Sequence, residues 1–134
     1  MALTRNELIA LSLRYFEGCN AHNHEQVMST LSEDSVMWFS AAAFRYTGHE
    51  ALGVHFDDFL GTFPTINFHD FTHIADETAQ RICSFFTVIL IDDDGNELRM
   101  NNCNVFKVDD AGLFCETGIF NSGALDQGFH AGSD

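Results

Sequence analysis

Apolar positions recur at helical spacing in the first half of the chain and at strand spacing in the second, and the single proline, Pro64, separates the two regimes. Leu8, Leu11, Tyr15 and Cys19 fall on one face of a predicted first helix, with Tyr15 turned inward near its far end. Thr4 and Glu7 have the spacing of a capping box, and Leu3 and Leu8 that of the hydrophobic staple around it. Gly18 and the stretch CNAHN close this helix. A short second helix follows, with Asn23 as its cap and Val27, Met28 and Leu31 as its apolar face. SVMWFS (35–40) reads as a strand. YTGHEALGVHFDDFLGTFPT reads as a third helix with a second capping box, Thr47 to Glu50. Leu52, Phe56, Phe59, Leu60 and Phe63 form its apolar stripe, and Pro64 ends it.

Beyond Pro64 four strands are predicted, at 66–75, 81–91, 97–108 and 113–120. The acidic glycine-bearing loops DDDGN and DDAG mark two of the hairpins between them. Helix, helix, strand, helix and a four-stranded meander make an α+β domain, with helices packed on one face of a curved antiparallel sheet. One domain is expected over 1–121. The glycine-rich tail, 122–134, is expected to be loose, with Leu125 and Phe129 able to tuck against the body.

Within this pattern the strand at 97–108 poses a problem. Its inward row is Leu98, Met100, Asn102, Asn104, Phe106 and Val108, apolar at both ends and amide in the middle. A buried amide without partners costs about 1–3 kcal/mol. The neighbouring strand poses another. His69 and Asp70 are adjacent, so they point to opposite faces unless a bulge intervenes. The row Ile66, Phe68, Thr72, Ile74 favours an inward Asp70.

Composition narrows the function. Hydrophobic residues make up 46% of the 134, including 14 phenylalanines, as a packed domain requires. Twenty acidic residues against six basic ones give a net charge of −14, which disfavours nucleic acid and anionic membrane surfaces as partners. No transmembrane run and no signal peptide is evident, so a cytoplasmic location is expected, with Cys19, Cys83, Cys103 and Cys115 as reduced thiols. His22 and His24 lack companion ligands. His69 and His73 are about 13 Å apart along a strand. No metal site is expected. Neither a phosphate-binding glycine loop nor a local nucleophile motif is present.

Three stretches, YFEGCNAHNHEQVMSTLSEDSVMWFS, YTGHEALGVHF and NVFKVDDAGLFCETGIF, resemble the SnoaL-like branch of the nuclear transport factor 2-like superfamily. Relatives in that superfamily include ketosteroid isomerases, polyketide cyclases and scytalone dehydratases. The resemblance covers nearly the whole chain. It implies a cone-shaped sheet with the three N-terminal helices on its concave face, an apolar pocket, a homodimer, and no cofactor. It also implies that Asn102 and Asn104 line the pocket. Asn104 falls where related isomerases and cyclases carry an acid, so it can donate to an oxyanion but cannot act as a base. Phe39, or a neighbour in MWFS, stands where the isomerases carry their base, which argues against steroid-isomerase chemistry. Asn20 falls near a helix-end aspartate of the dehydratases and His69 near one of their pocket histidines. Glu116 stands at a frequent family glutamate.

The expected catalytic set is therefore Asn104, Tyr15 and either Asp70 or His69. The expected ligand-binding set is Asn102, Asn20, Trp38, Phe39, Phe56 and Phe59. Three functions fit: a cofactor-independent isomerase, cyclase or dehydratase acting on a small, largely apolar, polyketide-, terpenoid- or steroid-like molecule; a non-catalytic carrier of such a ligand; and a dimerising assembly module.

Overall fold

The computed structural model describes residues 2–42 and 45–123. In chain order the elements are α1 (Arg5–Asn20), α2 (His24–Met28), β1 (Leu31–Phe39), β2 (Arg45–Thr47), α3 (His49–Thr62), β3 (Thr65–Asp76), β4 (Arg81–Ile91), β5 (Glu97–Val108) and β6 (Phe114–Asn121). They form one six-stranded sheet, ordered β2-β1-β6-β5-β4-β3, with the helices on one face. The four strands after Pro64 form the expected antiparallel meander. β1 departs from a purely antiparallel sheet by lying parallel to β6. It leads into β2, a three-residue strand that sequence reading folded into the start of the third helix.

Caps follow the sequence at two helices and depart from it at one. Thr4 and Glu7 form the reciprocal capping box of α1, and the Asn23 side chain accepts from the Gln26 amide at the start of α2. Helix α3 is instead capped by Gly48, at φ +93°, without a side-chain bond, so Thr47 does not cap it. That backbone conformation favours glycine.

Three register shifts bend the sheet, in β1 between Leu31 and Val36, in β3 between His69 and Thr72, and at the Lys107–Val108 end of β5. The concave face packs on α1 and α3 through Leu8, Phe16, Leu52, Phe56, Phe86, Phe106 and Phe114. Gly118 leaves room on the outer face for the Trp38 indole, which lies across it where any Cβ would collide. Leu125 and Phe129 lie outside the described residues. No helix among the described residues is long and apolar enough to cross a membrane.

Candidate functional site

Between α1, α3 and the concave face lies a cavity of about 130 Å³. Helix α1 contributes Tyr15 and Cys19, α3 contributes His55, Phe56 and Phe59, and β5 contributes Met100, Asn102 and Asn104. Phe39, Phe68 and Phe86 complete much of the aromatic wall, and Asn121 adds a third amide.

Asn102 and Asn104 project to the same side because they are two residues apart on β5, about 6.6 Å along the strand. Asn104 is only 3% exposed. The side-chain oxygens of both residues are buried and have no hydrogen-bond partner. Buried acceptors are ordinarily satisfied, so two orphans on one cavity wall are an exception that calls for a donor, from water or from a ligand. Tyr15 is buried against Phe16, Phe56 and Phe106, with ring centroids 5.0, 5.8 and 5.3 Å away. Burial, and then the neighbouring Cys19, push its phenol well above the ordinary range. Burial likewise raises the Cys19 thiol. Both keep their protons at neutral pH.

His55 escaped sequence reading. Its ring stacks obliquely on Tyr46 at 4.4 Å and meets Phe39, Phe56 and Phe59 at 5.9, 5.0 and 6.4 Å. Burial lowers its pKa from 6.5, and the Asp58 charge opposes this in part. The imidazole is therefore neutral at pH 7. A usable signal was present, because His55 is three residues after Leu52 and four before Phe59, on the edge of the apolar stripe.

The other expected residues lie elsewhere. Asp70 occupies the β3 bulge with φ +58°, and its side chain is 81% exposed. The bulge changes which side chains face the core: Ile66 and Phe68 point inward before it, Phe71 and His73 after it. Asp70 is thus extruded from the row that seemed to carry it inward. His69 is partly exposed, 3.8 Å from the Asp70 carboxylate, and does not line the cavity either. Asn20 ties α1 to β3 by accepting from the Phe68 amide at 2.8 Å and donating to its carbonyl at 3.0 Å. Trp38 sits on the outer face, where its indole N–H donates to Glu116 at 3.0 Å, and Glu116 faces outward with it. Tyr15, Phe39, Phe56, Phe59, Asn102 and Asn104 are brought together. His69, Asn20 and Trp38 are not, and Asp70 lies outside the cavity on a neighbouring surface hollow that it shares with Phe86, Asn102 and Asn121.

A second polar group lies beside the cavity. His73, Ser84 and Asn104 occupy one register row across β3, β4 and β5. The Ser84 hydroxyl is 2.8 Å from both His73 Nδ1 and the Ser12 hydroxyl, while His73 Nε2 is buried without a partner. Burial, reinforced by Arg5, lowers the His73 pKa. His22 and His24 hold the helices together through Nε2 contacts to the Phe63 and Gly53 carbonyls, at 2.7 and 2.8 Å.

Several solved structures share this architecture. A proposed polyketide cyclase from Xanthomonas campestris pv. campestris is 17% identical, with 87% of this chain and 90% of that one covered at a TM-score of 0.77. PrhC from Penicillium brasilianum is 16% identical over 90% of this chain and 83% of its own, with a TM-score of 0.78. A cystatin-like protein of unknown function from Methylobium petroleophilum is 16% identical over 96% and 84%, with a TM-score of 0.71. At such identities these likenesses establish the fold alone. No curated protein matches significantly. The SnoaL-like domain model matches residues 13–117, most of the chain and every described residue of the cavity lining except Ile119 and Asn121, and the protein therefore belongs to the SnoaL-like family.

Proposed function

We propose that this SnoaL-like protein binds a small, largely apolar molecule bearing one or two oxygens, and acts on it as a cofactor-independent isomerase, cyclase or dehydratase. The observation that carries this reading is the pair of unpartnered amide oxygens on Asn102 and Asn104 in an otherwise aromatic cavity. In a folded domain such groups cost stability, and a ligand that pairs them recovers it. Tyr15, Asn102 and Asn104 hold the ligand oxygens, while Phe39, Phe56 and Phe59 enclose its carbon skeleton. Members named as polyketide cyclases support the reaction class by likeness.

Size narrows the ligand. An apolar cavity of about 150 Å³ takes one benzene ring. The part of the substrate seated in the cavity is therefore a single ring, and a polyketide- or terpenoid-like remainder lies outside its mouth. A carrier is the second reading, favoured by the lack of any carboxylate among the described lining residues. For quaternary structure we propose a homodimer through the outer sheet face, where Ile74, Phe85 and Phe120 are 61%, 44% and 42% exposed.

Native mass spectrometry of freshly purified protein tests both parts. A dimer carrying a discrete small molecule is the expected result. A monomer refutes the dimer. Failure of the protein to take up any single-ring oxygenated compound from an added panel refutes the pocket.

A further inference from the structure

We propose that His55 is the proton-transfer group of this cavity, and that the seated substrate is a neutral single-ring hydroxy ketone. The proposal rests on the ligand-binding reading above and assigns the step that Asp70 and His69 were expected to perform.

The assignment follows first from position. Among the described residues lining the cavity, the titratable side chains are Tyr15, Cys19 and His55. The phenol and the thiol are held protonated far above neutrality by burial. Only the imidazole can take up and return a proton near pH 7. It stands on α3 and the two asparagines on β5, and all three line the same cavity between helix and sheet. Desolvation keeps the resting imidazole neutral, and the Asp58 charge favours the imidazolium once a proton arrives. Those two influences suit a group that must start as a base and be briefly charged.

The ligand class follows from the amides. An unpartnered carboxamide oxygen accepts, so the ligand must bring a hydrogen-bond donor, which a ring hydroxyl supplies. The carboxamide N–H₂ of the other asparagine is a donor, which a ring carbonyl accepts. One hydroxy ketone therefore engages both residues, its hydroxyl on one orphaned oxygen and its carbonyl on the other residue's N–H₂, while the second orphaned oxygen takes a further donor such as a bridging water. In the step itself a ring nitrogen of His55 removes a proton from the carbon beside the carbonyl. The C–H electron pair becomes the new C=C bond, and the C=O π pair moves onto oxygen, to which an asparagine N–H donates a hydrogen bond. Return of the proton from the imidazolium to carbon reverses the step, with no net oxidation or reduction.

The test uses 3-hydroxycyclohexanone as the probe, with binding read by saturation-transfer NMR and proton transfer read by deuterium incorporation beside the carbonyl in D₂O. Wild-type protein is expected to bind it and to accelerate exchange, with the rate falling as pH drops through the lowered His55 pKa. His55→Gln is expected to bind but to lose about 100-fold or more of the exchange rate, together with that acid limb. In His55→Ala, added free imidazole is expected to restore exchange, a rescue that a purely structural histidine would not give. Binding without accelerated exchange, or equal exchange in wild type and His55→Gln, overturns the role of His55 and leaves the pocket reading standing. Absence of binding to the wild type overturns both.

Discussion

Asn104→Leu separates what the cavity does for binding from what it does for stability. Leucine has nearly the shape of asparagine, with the same number of side-chain heavy atoms, and at 3% exposure the site is inside the core. The Asn104 oxygen is buried and unpartnered, a condition that costs about 1–3 kcal/mol relative to a satisfied or apolar group. Replacing it removes that penalty and adds apolar surface beside Ile119, its register partner on β6 and also a residue of the cavity lining. Ligand-free Asn104→Leu is expected to be more stable than ligand-free wild type by about 1–3 kcal/mol. At roughly 4 °C per kcal/mol for a domain of this size, its Tm rises by about 4–12 °C. Differential scanning calorimetry after exhaustive removal of small molecules measures this directly, because a bound ligand would mask the difference by stabilising wild type alone. The same variant should lose affinity for oxygenated ring ligands, the trade of stability for function common at binding sites. A variant that melts at or below the wild-type temperature refutes the reasoning, since the amide would then be satisfied in the free protein.

Three further outcomes follow from particular contacts. Gly118→Ala should lower the urea midpoint by the equivalent of about 1–3 kcal/mol, because its Cβ would enter the Trp38 ring, and the loss should shrink when combined with Trp38→Leu in a double-mutant cycle. Stability should fall as pH is lowered from about 7.5 to about 5.5: His55 and His73 have lowered pKa values when folded, so below 6.5 the unfolded chain binds more protons, and urea titrations of His73→Gln should show a weaker acid loss. Asp70→Asn should leave ligand binding and any turnover unchanged, because the side chain is exposed on the bulge and outside the cavity; a large loss of activity would return the residue to the site.

How much of this was legible depended on whether a segment's alternation ran unbroken. Strands β4 and β5 match their predicted limits because each alternates over its whole length and a hairpin loop bounds it. β1 starts earlier than its apolar run, because Ser32, Glu33 and Asp34 at its start are polar and Ser32 is buried with a hydrogen bond to Asp34. The inward row of β5, asparagines included, could be read from periodicity alone. That of β3 could not, since a bulge is one extra residue with no apolar signature, and from the sequence Asp70 merely continues the row of Ile66 and Phe68. His55 was hidden for a related reason. Its spacing from Leu52 and Phe59 puts it at the edge of the phenylalanine stripe, but that position alone leaves its ring between solvent and cavity until Tyr46 and Phe39 pack across it.

These displacements share a chemical consequence. The bulge removes a carboxylate from the inward row of β3, and the middle of the inward row of β5 holds the amides of Asn102 and Asn104. Among its described residues the cavity lining is left with amides, a phenol, a thiol and a neutral imidazole, and no fixed charge. A carboxylate there would be desolvated without a cation beside it, and would be driven to hold its proton. Amides avoid that cost and still offer donors and acceptors of fixed direction. Outside, the sequence carries a net charge of −14, which repels anionic molecules approaching the mouth. On the binding reading proposed above, surface and cavity select in the same direction, towards an uncharged ligand. An acidic intermediate would be turned away twice, first by the field and then by a site with no cation to receive it.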